Sequence, residues 1–383
     1  MDFDLQWLLW GLPLAFAFGW LASRWDVRQW KREQAESPRL YYRGLNLLLN
    51  EQQDKAIDAF IEAVQQDPDT TDLHFALGDL FRRRGEYERA VRVHEHLLQR
   101  ADLPRGERSR AQYGLAQDYM KAGLLDRAEE AYRSLDGTPF ATEARLALLG
   151  LHERGRDWRA AIDVARRLEA SGTGSFATRI AHFWCEIAQE ADAAGRREVA
   201  DAAVQSAREA APQALRPILL AGQRAAQAGR HAEALQTWGQ LMTLHPAGFA
   251  LVARDYAASA VAAGDAPAAL ERLLALYRRA PSIDLLEAIS KLEPDAAVRR
   301  ERLAAHLRAH PSLSVAQALL AENASATTEG SDARTLRDAV ATAARPLHRY
   351  RCAGCGFETA HYFWQCPGCL GWDTFPPQRQ DDQ

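Results

Sequence analysis

The sequence predicts an all-α chain: a superhelix of stacked helix pairs, with one membrane-spanning helix before it and a small four-cysteine metal ribbon after it. Three observations carry that prediction. Residues 5–23 contain no charged side chain. Small, aromatic and proline residues then recur with a period of 34 to 35 residues. Near the carboxyl terminus, four of the five cysteines fall within 18 residues, in two C-x-x-C pairs.

The first element is the stretch LQWLLWGLPLAFAFGWLAS, residues 5–23. A helix of that length rises about 28 Å, close to the roughly 30 Å hydrocarbon core of a bilayer. Pro13 falls mid-span, where a lipid-embedded helix tolerates it better than a soluble one. Trp7, Trp20 and Trp25 stand near the two ends, as interfacial aromatic belts do. Asp2 and Asp4 precede the stretch, whereas Arg24, Arg28, Lys31, Arg32 and Arg39 follow it. The positive-inside rule then leaves a short outer amino terminus and a single-pass inner-membrane protein with its bulk facing the cytoplasm. A cleaved signal peptide is the alternative, suggested by Ala15-Phe16-Ala17, but its leading region should be basic and this one is acidic. The expected organisation is an anchor over 1–23, in contact with the lipid bilayer through 5–23, and a basic juxtamembrane segment over 24–36.

The second element, 37–321, is the repeat array. The prolines Pro212, Pro246 and Pro281 are 34 and 35 residues apart, the period of tetratricopeptide repeats. A first unit carries Gly44, Ala56, Phe60, Ala63 and Pro68, and a second Gly78, Phe81, Gly85, Tyr87 and Ala90. A third carries Ala116, Tyr119, Gly123, Ala128 and Tyr132, and later ones place Gly222, Ala234, Trp238, Gly264 and Ala269. Units near 141–175, 176–212 and 282–311 are degenerate. Each unit is a pair of antiparallel helices whose small residues allow close approach. Its aromatic residue fills the gap to the following unit, and its proline ends the second helix. No unit buries its apolar face alone, so the units must stack.

Between array and cysteines, 322–345 reads as a linker: polar over 322–333, then a short amphipathic helix over 334–345. Three features of the array have bland readings. His94, Glu95 and His96 lack the H-E-x-x-H spacing, and His94 sits in the aromatic slot of its repeat, so it is expected to pack. Cys185 beside Trp184 reads as a small buried hydrophobe. SGTGS, 171–175, lacks the Lys-Ser/Thr of a phosphate loop and reads as a turn. No catalytic constellation stands out, and the chain is expected not to be an enzyme.

The last element, 346–378, holds Cys352, Cys355, Cys366 and Cys369. Two C-x-x-C turns ten residues apart supply four thiolates, a tetrahedral set for Zn2+, with iron as the alternative. All four positions are sulfur, which leaves none open for a hydrolytic water. Gly356 suits a tight knuckle, and Pro367 and Gly368 are expected to turn the chain back to Cys369. Tyr350, Phe357, Tyr362, Phe363, Trp364, Trp372 and Phe375 exceed what so small a unit buries internally. Surplus surface such as Trp364 and Trp372 should rest on the last repeats or on a client. Net charge is −4, with 47 basic against 51 acidic residues, so no basic field favours nucleic acid.

In this order, anchor, repeats and CxxC ribbon resemble the lipopolysaccharide assembly protein B (LapB) family of Gram-negative bacteria. The most specific part is YRCAGCGF…YFWQCPGCLGW, 350–372, which is rubredoxin-like. The resemblance implies metal ligation by Cys352, Cys355, Cys366 and Cys369. It also implies an inner-membrane adaptor that brings the lipid A pathway deacetylase to a membrane AAA+ protease for degradation, antagonised by an inner-membrane lipopolysaccharide sensor. Two other readings stay open: a general scaffold for envelope assembly, and an iron-loaded electron-transfer protein. Whether the chain dimerises is not fixed by its sequence.

Overall fold

The computed structural model describes residues 16, 20, 42–47, 50, 52–66, 70–324 and 331–382. The chain divides into two compact units, one running to Ala160 with 170–173, the other covering 161–169 and Gly174–Gln383.

Among the described residues of the first unit, a helical stretch over 42–47 precedes α1 (Gln53–Gln66), α2 (Thr71–Arg83), α3 (Tyr87–Gln99), α4 (Arg105–Ala122), α5 (Leu125–Arg133) and α6 (Ala141–Gly155). Helices α1 to α3 close around Ala56, Phe60, Leu73, Leu77, Phe81 and Ala90, all buried. The turns are set by residues that accept positive φ, such as Gly85 at +80° and Gly123 at +78°. His94 is buried in α3, and its Nδ1 donates to Asp118 Oδ2 of α4 at 2.6 Å. It packs, as its slot predicts. Helix α7 (Trp158–Ala170) and the loop 171–175, with Gly172 and Gly174 at positive φ, follow in the chain.

The second unit continues with α8 (Ala177–Ala193), α9 (Arg197–Ala210), α10 (Leu215–Gln227), α11 (His231–Gly239) and the single turn α12 (Leu241–Leu244). After a 3-10 turn, Gly248–Val252, come α13 (Ala253–Ala262), α14 (Ala266–Arg279), α15 (Ile283–Leu292), α16 (Ala296–Ala309), α17 (Leu313–Ala324) and α18 (Ser331–Ala344). Pro212, Pro246, Pro281 and Pro311 each stand two residues beyond the end of a helix, where they cannot cost a ladder hydrogen bond. Pro68 lies outside the described residues. The core runs through Ile218, Trp238, Phe249, Tyr256, Leu273 and Ile289, all fully or nearly fully buried. Cys185 is buried too, and burial pushes its thiol up to about 12, so it behaves as a hydrophobe. The stretch 322–333 is helical at both ends, since α17 runs to Ala324 and α18 starts at Ser331.

The aromatic slot works differently from the sequence reading. A methyl group on Gly78 would fall 2.5 Å from the His94 ring, and one on Gly222 only 2.3 Å from Trp238. Gly44 stands in the same relation to Phe60. In each case the ring sits on the glycine 16 residues earlier, within its own helix pair. His94 reaches the next pair as well, lying against Gly114.

The expected membrane span is corrected. Among the described residues no helix is long and apolar enough to cross a membrane. The longest, α4 with 18 residues, carries Arg105, Glu107, Arg108, Arg110, Asp118 and Lys121, charges that a hydrocarbon core does not accept. The stretch 5–23 lies outside the described residues except for Phe16 and Trp20, both helical and exposed. The transmembrane anchor, the bilayer contact through 5–23, the single-pass inner-membrane placement and the membrane-anchored adaptor reading fall with it.

Candidate metal centre and its seat on the repeats

The ribbon is built from two knuckles of the same design. In the first, strand β1 (Tyr350–Arg351) pairs antiparallel with β2 (Glu358–Thr359), Tyr350 opposite Thr359. Inside that hairpin Cys352 N donates to Phe357 O, and Gly356 N donates to Cys352 O, both at 2.9 Å. In the second, Gln365 bridges Trp372, Cys366 N donates to Gly371 O, and Leu370 N donates to Cys366 O, both at 2.8 Å. The residue after each outer cysteine takes the left-handed conformation: Gly356 at φ +77° and Leu370 at +59°. The second turn is therefore closed by Leu370. Gly368 serves proximity instead, because a methyl group there would come within 3.3 Å of Cys355 Sγ.

The knuckles bring the four thiols together, with all Sγ atoms within 4.8 Å of one another. Cys352 and Cys369 are 3.8 Å apart and Cys355 and Cys366 3.6 Å, too far for a disulfide. A tetrahedron with bonds of about 2.3 Å has an edge of about 3.8 Å, so the donor set fits a four-coordinate metal. The site is capable of coordinating a metal ion. Cys352 and Cys366 are buried, whereas Cys355 and Cys369 are exposed. A hydrogen bond from the Thr374 hydroxyl, helped by the amides of Cys355 and Gly354, pulls the Cys352 thiol down, while the crowding of the other three thiols helps push the Cys355 thiol up. Gly354 N lies 3.3 Å from Cys352 Sγ.

Tyr350, Cys352, Cys366 and Phe375 form the ribbon's small buried core, with Tyr362 and Leu251 of the repeat array packed against it. Phe357 and Phe363 are exposed and add little to it. The surplus aromatics do find the repeats, although at α8 and α10 rather than at the last ones. Trp372 stacks on His182 of α8 with ring centroids 4.7 Å apart, and meets Phe183 edge-on at 5.9 Å. The Arg216 guanidinium of α10 stands 5.5 Å from the Trp364 ring and 5.9 Å from Trp372, in cation–π range. His182 Nε2 donates to Asp373 Oδ2 at 2.8 Å.

The carboxyl-terminal tail reaches further along the array. Arg379 Nη2 donates to Asp284 Oδ1 of α15 at 2.9 Å, and Ser314 N at the start of α17 donates to Asp381 Oδ2 at 2.8 Å. Burial pushes the Asp284 carboxyl up against the pull of Arg379, so the pair is held at a desolvation cost. These seat residues, His182, Arg216, Asp284 and Ser314, carry no motif. In sequence they are single polar residues at apolar repeat positions, and Arg379 is one basic residue beyond the cysteines. The only available signal is that a repeat helix places Arg216 where its neighbours place aliphatic side chains.

Residues 350–377 match the family described as the rubredoxin metal binding domain, and 43–101 and 113–175 match the tetratricopeptide repeat. Fold and site together define a class, an all-α tetratricopeptide solenoid carrying a rubredoxin-type metal ribbon. Over 377 residues the chain is 32% identical to lipopolysaccharide assembly protein B of Escherichia coli strain K12, covering 96% of this chain and 97% of that protein. It is 27% identical over 391 residues to the protein of that name in Haemophilus influenzae, with 96% of each covered. The chain belongs to the lipopolysaccharide assembly protein B family and is not an enzyme. A tetratricopeptide repeat protein of Parabacteroides merdae, solved as a crystal structure, covers 67% of this chain and 98% of its own at 14% identity and a TM-score of 0.34, too remote to add to the argument.

Proposed function

We propose that the chain is a tetratricopeptide scaffold for lipopolysaccharide and envelope assembly, in which the ribbon is a structural clamp on the repeats. The observation that carries this reading is the seat. Side chains beside the cysteines and in the tail grip α8, α10, α15 and α17, so the ribbon ties together helix pairs far apart in sequence. A redox carrier needs no such grip. Cys352, Cys355, Cys366 and Cys369 are the proposed ligands, and zinc, which has no redox chemistry, suits a clamp. Metal analysis of protein purified under reducing conditions tests this: a colourless chain with about one zinc agrees, and a red iron-loaded chain would favour the electron-transfer reading suggested by the rubredoxin match.

The partners implied by family resemblance, the lipid A pathway deacetylase, a membrane AAA+ protease and a lipopolysaccharide sensor, are the ones we propose as its clients. Affinity capture of the full chain with mass spectrometry should recover at least one of them. Recovery of none, with unrelated envelope proteins in their place, would reject that partner set.

A further inference from the structure

A cleft of about 910 Å3 opens in the second unit between the ribbon and the ends of the helix pairs beside it. One wall is formed by the first turn of α8 at Ala177 and Thr178, the connection around Gln213, and the connection around His245. Asp373 and Phe375 of the ribbon form the other. Most of the remaining lining is alanine, proline and leucine, an aliphatic surface.

The cleft has an electropositive end. Helices α8 and α10, 17 and 13 residues long, both begin on it, and neither has a side-chain cap at its N-cap position. Ala177 N makes a long 3.4 Å bond to Ser175 Oγ and Pro217, in the first turn of α10, has no N–H, so the N–H groups of Thr178, Leu215 and Arg216 are the ones that can face an anion. Independently of the helix ends, Arg216 lines the cleft, is only 3% exposed, and has a buried Nε–H without a partner. Its Nη2 is engaged by Glu186 and Gln189 at 2.6 and 3.1 Å and its Nη1 by His182 O at 3.5 Å, whereas Nε has no partner. His182, equally buried, also lines the cleft, but with its Nε2–H given to Asp373 its unpartnered Nδ1 is an acceptor in the neutral ring and adds no donor for an anion. Asp373 is the one carboxylate among the lining residues, and its Oδ2 accepts from His182.

We propose that this cleft binds a short acidic peptide segment of a client. Aliphatic side chains would lie on the alanine and proline walls, and a carboxylate would meet the two helix ends and Arg216 Nε–H. The volume suits a peptide segment rather than a bare ion, and the walls would give an inorganic anion nothing to rest on. Because the ribbon supplies one wall, the site exists only while the ribbon is seated. The proposal rests on the scaffold reading and names the chemistry by which the scaffold holds a client.

Fluorescence anisotropy on the full chain tests it with three labelled octapeptides: alternating leucine and glutamate, alternating leucine and glutamine, and alternating serine and glutamate. The leucine–glutamate peptide should bind, and each of the others at least ten-fold more weakly. Thr178 is exposed on the cleft at the start of α8. Thr178→Glu suits that helix end, so it keeps the fold, yet it should weaken binding at least ten-fold. Thr178→Lys should not weaken it. Equal affinity for the glutamine peptide, or an unchanged Thr178→Glu protein with an intact melting curve, would overturn the proposal. Client capture succeeding while the peptides fail would reject the cleft and leave the scaffold reading standing.

Discussion

Leu370 closes the second knuckle at φ +59°, in the position that Gly356 occupies in the first. A left-handed conformation costs a residue with a Cβ about 1–2 kcal/mol, part of which glycine would give back through its freer unfolded chain. Leu370 is also 48% exposed, so its side chain contributes little packing. Leu370→Gly should therefore stabilise the ribbon by about 0.5–1 kcal/mol. Metal release to a chelator should slow accordingly, and faster release would show that the leucine contributes a contact outweighing its backbone strain. The same scale explains a limit of sequence reading. Gly356 announces its turn by identity, whereas Leu370 reveals its own only through the hydrogen bonds around Cys366.

At the scale of the helix pair, the glycine 16 residues before the aromatic slot decides how closely two helices approach. Trp238 is fully buried and its Nε1–H donates to Leu219 O at 3.0 Å, so the ring cannot move aside. Gly222→Ala should cost roughly 3 kcal/mol through overpacking, despite the better helix propensity of alanine. Gly150 in α6 has open space around its missing side chain, so Gly150→Ala should stabilise by up to about 1 kcal/mol. Thermal melts of the two variants should move in opposite directions, and a shared direction would deny the ring-on-glycine account. A second element carries a pH response. Burial, with a smaller push from His310, holds His306 of α16 below its ordinary 6.5. The unfolded chain then takes up that proton first, so stability present at pH 7.5 is lost as pH falls through 6.5 toward the folded value. His306→Gln keeps a partner for the Tyr277 hydroxyl and removes the titration. Its melting temperature should fall less between pH 7.5 and 5.5 than that of the parent, and identical slopes would dismiss the effect.

For the whole molecule, the question is whether the ribbon is an appendage or a clamp. Cys366→Ser removes a buried ligand and most of the folding free energy that a metal supplies to so small a unit. As a clamp, it should release Trp372 from His182 and Arg379 from Asp284 when it unfolds. Hydrogen exchange in α8 and α15 should then accelerate roughly ten-fold, equal to about 1.4 kcal/mol of lost local stability. Exchange in α2 and α3, in the other unit, should stay unchanged. An array whose protection is indifferent to metal loss would make the ribbon an appendage.

The period of 34 to 35 residues, the prolines and the paired C-x-x-C spacing were enough to determine that helix pairs stack and that four thiols converge, because both are local consequences of residue type and spacing. A proline just past the last turn keeps a helix from continuing, and two residues between cysteines set a knuckle irrespective of what surrounds it. Apolar composition alone did not determine a membrane span over 5–23: among the described residues no helix crosses a membrane. Only the tertiary structure decided where the ribbon sits. Its seat joins residues up to 191 positions apart, His182 and Asp373, through single polar contacts that leave no periodic trace. A repeat pattern reports what each helix pair needs to bury against its neighbour. It does not report which polar residues a remote segment will later desolvate, and those contacts exist only once the chain has folded back on itself.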